Sequence, residues 1–310
     1  MTVGSASRLA WRDLPAVVRG AIARRLGAPV SRVVSQEAGF TGGLASRLVL
    51  ADGRRAFAKG VPQVHPLAAM YEQEAAVATV LPTEVPAPRL LSWFRAGGWI
   101  VLLFDDVAGR HPGLQPGSAD LLAVLATVGS MSRALTPCPV AGARPVAEAL
   151  ERVSQCWRQL AASPPIDLDP WCVRHLPSLV EWETRWLLAA GGDTLLHADL
   201  RPDNMVVAGG GTVVVVDWAC GYRGAAWFDM VWLVPYLIMD GHSPASAEEA
   251  LSGLGVWGMV AEQTVTSLAV SVAGHWEVAR RRRSRPELRA YQRREAAAAL
   301  AWAAYRTGWR

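Results

Sequence analysis

Asp199, Asn204 and Asp217 are the residues whose types and spacing offer chemistry. They lie in Leu195-Leu196-His197-Ala198-Asp199-Leu200-Arg201-Pro202-Asp203-Asn204-Met205 and, after a Gly turn, in Val213-Val214-Val215-Val216-Asp217-Trp218. The pattern reads as a strand, a polar loop, a second strand and an acid at its end. Asp199 and Asn204 stand five apart, and Asp217 follows Asn204 by thirteen. Phosphoryl transfer needs one carboxylate to orient or deprotonate the attacking hydroxyl, and a carboxylate plus an amide oxygen for Mg²⁺. This stretch supplies all three at the spacing of a phosphoryl-transfer loop. Arg201 adds a cation able to offset charge on the transferred group; a salt bridge within the loop is the other reading. His197 reads as a hydrogen-bonder that brace the loop, with a base as the alternative.

Such a loop needs a cation for the other phosphates. Of the 31 basic residues, one alone is lysine, and it is Lys59. In a chain that writes Arg nearly everywhere, one Lys hints at a place where a compact ammonium is required. Its surroundings fit that use. Ser46 to Ala51 alternates like a strand, Asp52-Gly53 is a hairpin turn signal, and Arg54 to Val61 returns with Lys59 upon it. Residues 66 to 81 read as a helix carrying Met70, Glu74, Val77 and Val80 at helical spacing, ended by Pro82 and Pro86-Ala87-Pro88. Arg89 to Phe94 and Trp99 to Phe104 form a second hairpin around Ala96-Gly97-Gly98. The polar, Gly- and Pro-rich run from Asp105 to Gly113 reads as a linker.

Beyond residue 118 the sequence turns largely helical. Helices are predicted over 119–135, 146–160 and 176–190, and then near 226–239, 245–254, 258–276 and 286–308. The length of 310 residues suits two lobes, and 51% apolar with 19% charged residues marks a globular chain. No apolar run reaches the roughly 18 residues of a membrane span, and the N-terminus lacks a signal segment. Cys138, Cys156, Cys172 and Cys220 lie far apart without a CxxC pair, as expected of reduced thiols in a cytoplasmic protein. The net charge of +4 resides in the tail: Arg280 to Arg310 holds ten Arg against Glu287 and Glu295. Without interleaved aromatics, that cluster reads as a solvated face and not as a nucleic-acid contact.

With these motifs in order, the chain resembles the aminoglycoside phosphotransferase family, within the protein-kinase-like fold, over about residues 35 to 235. His197 to Asn204 matches the family's HGDLxxxN with Ala198 in place of Gly. Asp217-Trp218 stands where protein kinases have Asp-Phe-Gly, and Trp227-Phe228-Asp229 matches a further family element. The resemblance implies an α+β, bilobal fold: a small antiparallel-sheet N-lobe over 1–104, a hinge over 105–117 and a larger, mainly helical C-lobe over 118–310. It implies Lys59 on the α- and β-phosphates, paired with Glu74 in preference to Glu72. The loop of Gly39, Phe40, Thr41 and Gly42 would cover phosphates with backbone N–H groups, a plain β-turn being the alternative. The backbone of Asp105 and Val107 would meet the nucleobase edge. Asn204 and Asp217 would hold Mg²⁺, and Asp229 would tie down the loop's backbone N–H groups, with helix capping as its alternative.

Trp218-Ala219 in place of Phe-Gly, and the short run from Asp217 to Asp229, argue against a mobile activation segment and against a regulated protein kinase. The expectation is therefore an ATP-dependent phosphotransferase, with GTP as the alternative donor, acting on a hydroxyl of a small molecule. An aminoglycoside-like antibiotic is the leading acceptor. The alternative is another metabolite or natural product, in a pocket lined by residues such as Trp232, Trp257 and Trp276, which otherwise belong to the core. A non-catalytic nucleotide-binding module is disfavoured because no catalytic residue is missing.

Overall fold

Alternating apolar residues between tight turns build the first part of the chain into a sheet. The computed structural model describes residues 9–36, 42–255, 257–282, 284 and 286–310. Strands β1 (Val30–Ser35), β2 (Leu44–Leu50), β3 (Arg55–Pro62), β4 (Leu90–Ala96) and β5 (Trp99–Asp105) pair antiparallel in the order β1-β2-β3-β5-β4. The β2–β3 turn closes at Gly53, whose φ of 87° is in the left-handed region open to glycine. Asp52 Oδ1 accepts the Arg54 N–H there at 3.1 Å.

The two faces of this sheet are buried by different helices. Leu44, Leu48, Val101 and Leu103 pack with Val18 and Ile22 of α1 (Ala16–Leu26). On the opposite face Val61, Ile100, Leu102 and Phe104 pack with Tyr71 and Ala75 of α2 (Ala68–Val80). Period-two alternation puts Lys59 and Phe57 on the α2 face while Ala58 joins the α1 core. Burying a Leu such as Leu48, which has no exposed surface, contributes about 1.5–3 kcal/mol.

By its contacts the chain divides into two compact units, one running to Pro112 and taking in Asp203–Gly221, the other made of Gly113–Pro202 and Tyr222–Arg310. The sequence reading placed 203–221 with the helical lobe. It groups instead with the sheet unit for a local reason. Here β6 (Gly109–Arg110), β8 (Met205–Ala208) and β9 (Val213–Val215) form a three-stranded sheet, and Val215 N–H donates to the Pro86 carbonyl at 2.7 Å.

The second unit is helical around α10 (Glu262–Ala279), nearly all of which is buried. Trp157, Trp186 and Trp302 are its largest fully buried side chains. α3 (Ala119–Ala134) forms as expected, capped by Ser118. The helix expected over 146–160 is broken into α4 (Val146–Ala149), a 3₁₀ turn and α5 (Cys156–Ala162). Ser154 leaves helical geometry there, and its hydroxyl accepts the Trp186 Nε1–H at 2.9 Å. Glu183, fully buried, accepts the backbone N–H groups of Trp157 and Arg158 at the start of α5, at 2.7 and 3.1 Å. α6 runs from Pro170 to Trp182, earlier than the predicted 176–190, because Asp169 caps it and Pro170 suits the first turn. The stretch 226–239 divides into α7 (Phe228–Trp232) and α8 (Val234–Met239), Pro235 opening the second. α9 (Pro244–Ser252) and α11 (Pro286–Thr307) complete the helices, and β7 (Thr194–Leu196) pairs with β10 (Tyr222–Gly224).

Of the C-terminal arginines, Arg282, Arg289, Arg293, Arg294 and Arg310 are exposed, as the sequence suggested, whereas three others are drawn into ion pairs. Arg280 and Arg281 pair with Glu277 and Asp167, and Arg306 pairs with Glu248 and Glu262. Cys138, Cys156 and Cys172 are free thiols, and burial pushes that of Cys172 up to about 12. Among the described residues no helix is long and apolar enough to cross a membrane.

Candidate active site

β3 carries Lys59 onto the α2 face, where two acids meet it. Lys59 Nζ donates to Glu74 Oε1 at 2.9 Å, to Glu74 Oε2 at 2.7 Å and to Asp217 Oδ1 at 2.8 Å. Glu74 is the buried helix acid, 2% exposed, whereas Glu72 points away and pairs with Arg95. Burial alone lowers the proton affinity of Lys59, but Asp217 and Glu74 outweigh it and hold the ammonium charged above the ordinary lysine range. The Asp217 side chain stays 46% exposed, so the cluster keeps one open carboxylate.

Asp217 follows β9 with φ 66° and ψ 60°, a left-handed conformation uncommon for a residue with a side chain. Just before it, Val216 N–H donates to the Asn204 carbonyl at 2.9 Å, so the backbones bearing the two residues are joined. The segment beyond is fixed: Gln73 of α2 donates to the Gly221 carbonyl at 2.9 Å, and Val77 leaves no room for a Cβ at Gly221.

A cluster just beyond β5 escaped the sequence reading. The Asp106 side chain, 1% exposed, pairs with Arg55 at 2.7 Å and Arg47 at 3.5 Å. Arg47 faces Phe57 across the ladder, and Arg55, Phe57 and Lys59 alternate along β3, so counting by twos would have put these side chains on the Lys59 face. Asp105 closes β5, its N–H donating to the Arg89 carbonyl at 3.0 Å, and Val107 lies half-buried just beyond. Gly39, Phe40 and Thr41 lie outside the described residues; Gly42, at the edge of that loop, is half-buried.

In the helical unit, β7 delivers His197, Ala198 and Asp199. Asp229 of α7 braces them: its Oδ2 accepts the His197 N–H at 2.7 Å and its Oδ1 the Ala198 N–H at 2.8 Å. Burial pushes the Asp229 carboxyl up, while His197 and these two donors pull it back. His197 has no exposed surface, which suits the bracing reading and not that of a base meeting an acceptor. Ala198, the residue in the family's Gly position, has φ 56°, and that sign of φ is why glycine suits the place. The Asp199 side chain is 36% exposed, and Arg201 Nε stands 3.6 Å from its Oδ1.

The model of the phosphotransferase enzyme family matches residues 22–263. The chain belongs to this family. No curated protein sequence matches it. Among solved structures it is similar to an aminoglycoside phosphotransferase from Alicyclobacillus acidocaldarius subsp. acidocaldarius DSM 446, with a TM-score of 0.62 and 15% identity over 97% of this chain and 98% of that one. It is also similar to the choline kinase LicA from Streptococcus pneumoniae, with a TM-score of 0.62 and 12% identity over 92% and 97% of the chains. A third neighbour is the macrolide 2'-phosphotransferase MphH from Brachybacterium faecium, with a TM-score of 0.52 and 17% identity over 90% and 95%. At these identities the likeness speaks to the fold, which is the kinase-like α+β fold of phosphotransferases.

For this member of the phosphotransferase enzyme family, the Mg²⁺ donors can be tested chemically. Asn204 and Asp217 offer hard oxygens, one amide and one half-open carboxylate. Mg²⁺ bound with phosphates needs only one or two protein carboxylates, so the donor set fits. Elsewhere, a cavity of about 430 Å³ lined by Asp167, Glu277, Arg280 and Arg293 holds none of the candidate catalytic residues. Trp232, stacked on Phe228, and Trp276 are buried in the core, and Trp257 is half-buried. Trp232 and Trp276 therefore belong to the core, whereas Trp257 keeps one side open.

Proposed function

We propose that the chain is an O-phosphotransferase that moves the γ-phosphate of ATP, or of GTP, to a hydroxyl of a small molecule. The observation that carries this reading is Lys59 held by Glu74 and Asp217 through three bonds of 2.7–2.9 Å. An ammonium fixed in this way is a point charge for the α- and β-phosphates, with Glu74 preventing it from wandering. The Gly39–Gly42 loop would cover the phosphates, and the backbone of Asp105 and Val107 would meet the base.

At the loop, Asp199 accepts the proton of the acceptor hydroxyl as its oxygen attacks phosphorus, and the bond from phosphorus to the oxygen of the departing diphosphate breaks. Arg201 offsets charge beside Asp199. Asp229 holds the backbone that presents Asp199, and His197 supports that loop from within. Asn204 and Asp217 would hold Mg²⁺, which when bound neutralises charge on the phosphate oxygens.

An aminoglycoside-like antibiotic is the leading acceptor, giving an antibiotic-resistance role in the cytoplasm. A second reading is a kinase of another small metabolite or natural product, supported by the choline kinase and macrolide phosphotransferase among the neighbours. The test is transfer of labelled γ-phosphate from MgATP or MgGTP to a panel of aminoglycosides, macrolides, aminoalcohols and sugars. Labelled product with one class, lost in Asp199→Ala, is expected. Absence of transfer to every acceptor and to water would sink the proposal.

A further inference from the structure

Asp217 keeps a left-handed backbone, φ 66° and ψ 60°, while its Oδ1 accepts a bond of 2.8 Å from Lys59. A residue with a side chain holds such a conformation only where its surroundings over-determine it. Upstream, Val216 N–H is held by the Asn204 carbonyl at 2.9 Å. Downstream the chain makes a 3₁₀ turn, Trp218–Cys220, whose Trp218 indole is 3% exposed and donates to the Val215 carbonyl at 3.1 Å. The turn then ends against α2, within the same sheet unit.

That landing is close-fitting. Gln73 Nε2 donates to the Gly221 carbonyl at 2.9 Å. A Cβ at Gly221 would stand 2.6 Å from Val77 Cγ2. Gly221 has φ −62° and ψ 100°, which any residue can adopt, so space and not backbone conformation demands glycine here. Gln73 and Glu74 stand four and three residues before Val77, so the three share one face of α2. Through Glu74 that face grips Lys59, at 2.7 and 2.9 Å, and through Gln73 and Val77 it grips the segment after Asp217. One helix face thus holds both partners of the Lys59–Asp217 bond.

We infer that Gln73 and Val77 are positioning residues for Asp217: by docking the backbone at Gly221 onto α2, they set its carboxylate against the Lys59 ammonium. The inference rests on the function proposed above for the use made of Asp217. It adds two α2 residues that belong to none of the phosphoryl-transfer motifs.

The test uses the full chain and its single lysine. Acylation of Lys59 by an amine-reactive ester, followed by peptide mass in metal-free buffer, reads how firmly the ammonium is held, with or without catalysis. Gly221→Ala should speed this acylation roughly tenfold, the equivalent of one lost hydrogen bond to a charged group, and Gln73→Ala should speed it less. The Mg²⁺ concentration for half-maximal activity should rise about tenfold in Gly221→Ala, the scale of changes just outside a metal's own ligands. Val77→Ala makes room for the added methyl group, so the pair Val77→Ala/Gly221→Ala should bring both values back towards wild type. Thermal unfolding shows which variants are folded; where Gly221→Ala is not, Gln73→Ala and the pair carry the test. Wild-type Lys59 reactivity in every folded single variant at 221 and 73 would overturn the inference, as would a pair no better than a folded Gly221→Ala. A chain that transfers phosphate but shows an indifferent seam overturns this inference alone. Slow acylation lost in Gly221→Ala and restored in the pair, in a chain that transfers no phosphate, overturns the proposed function and leaves the docking of Asp217 standing.

Discussion

Lys59 and Arg201 are both shielded cations beside acids, yet they are held in contrasting ways. Lys59 makes three short bonds to two carboxylates, one from the next helix and one from the end of β9. Arg201 stands 3.6 Å from Asp199 within its own loop, its side chain 9% exposed. The first arrangement fixes a point charge. The second sets a planar fork at ion-pair distance from a single carboxylate. A phosphate-binding charge needs a fixed position, whereas a group beside the reacting hydroxyl needs an orientation.

The largest effect expected from separating the two clusters is at Asp199. Asp199→Ala should lower kcat by about 10²–10⁴, the worth of a general base, while MgATP affinity stays within a few-fold because the Lys59 cluster is intact. Comparable losses in affinity would show that the clusters do not divide the work in this way. Next comes Lys59→Arg, which keeps the charge but cannot reproduce three bonds to one small head group. Losing such charged hydrogen bonds is worth about 1.5–3 kcal/mol, so kcat/KM for MgATP should fall roughly ten- to a hundredfold. Wild-type kinetics in that variant would refute the case for a lysine.

Asp217→Asn removes the half-open carboxylate and one partner of Lys59. A Mg²⁺ titration of activity should move to higher concentration by about ten- to a hundredfold, the scale of metal-site perturbations. An unmoved titration would remove Asp217 from the metal. The smallest change concerns the loop itself. Ala198→Gly relieves a left-handed conformation that costs a side-chain-bearing residue about 1–2 kcal/mol, less the extra freedom glycine has when unfolded. Thermal unfolding should therefore show a gain of roughly 1 kcal/mol or less, with kcat little altered. A loss of stability would mean that the Ala198 methyl group packs usefully.

How far each cluster can be read from the sequence follows the same contrast. Lys59 and Glu74 sit on a strand and the next helix, so alternation and helical spacing already put them within reach. The hairpins around Gly53 and Gly97-Gly98 are set by turn chemistry, and they form where the sequence places them. Asp229 was named through resemblance, and its two bonds to the loop's N–H groups give that assignment a geometry. Local periodicity failed at 146–160, because Ser154 gives up helical geometry for a bond to Trp186, thirty-two residues away. It failed also for the start of the tail: Arg280 and Arg281 look solvated in one dimension, but a distant loop brings Asp167 to them.

By itself the sequence determined the α+β class, the strand that bears Lys59, the order and spacing of the candidate phosphoryl-transfer residues, and the lack of a long segment after Asp217. These depend on neighbours in the chain, where period, turn residues and spacing carry the information. Only the tertiary structure decided that 203–221 groups with the sheet, that Ala198 is left-handed, that Asp106 is gripped by two arginines, and that Glu183 caps α5. Each joins residues far apart in the chain, and their meeting depends on how strands pair and buried helix faces pack.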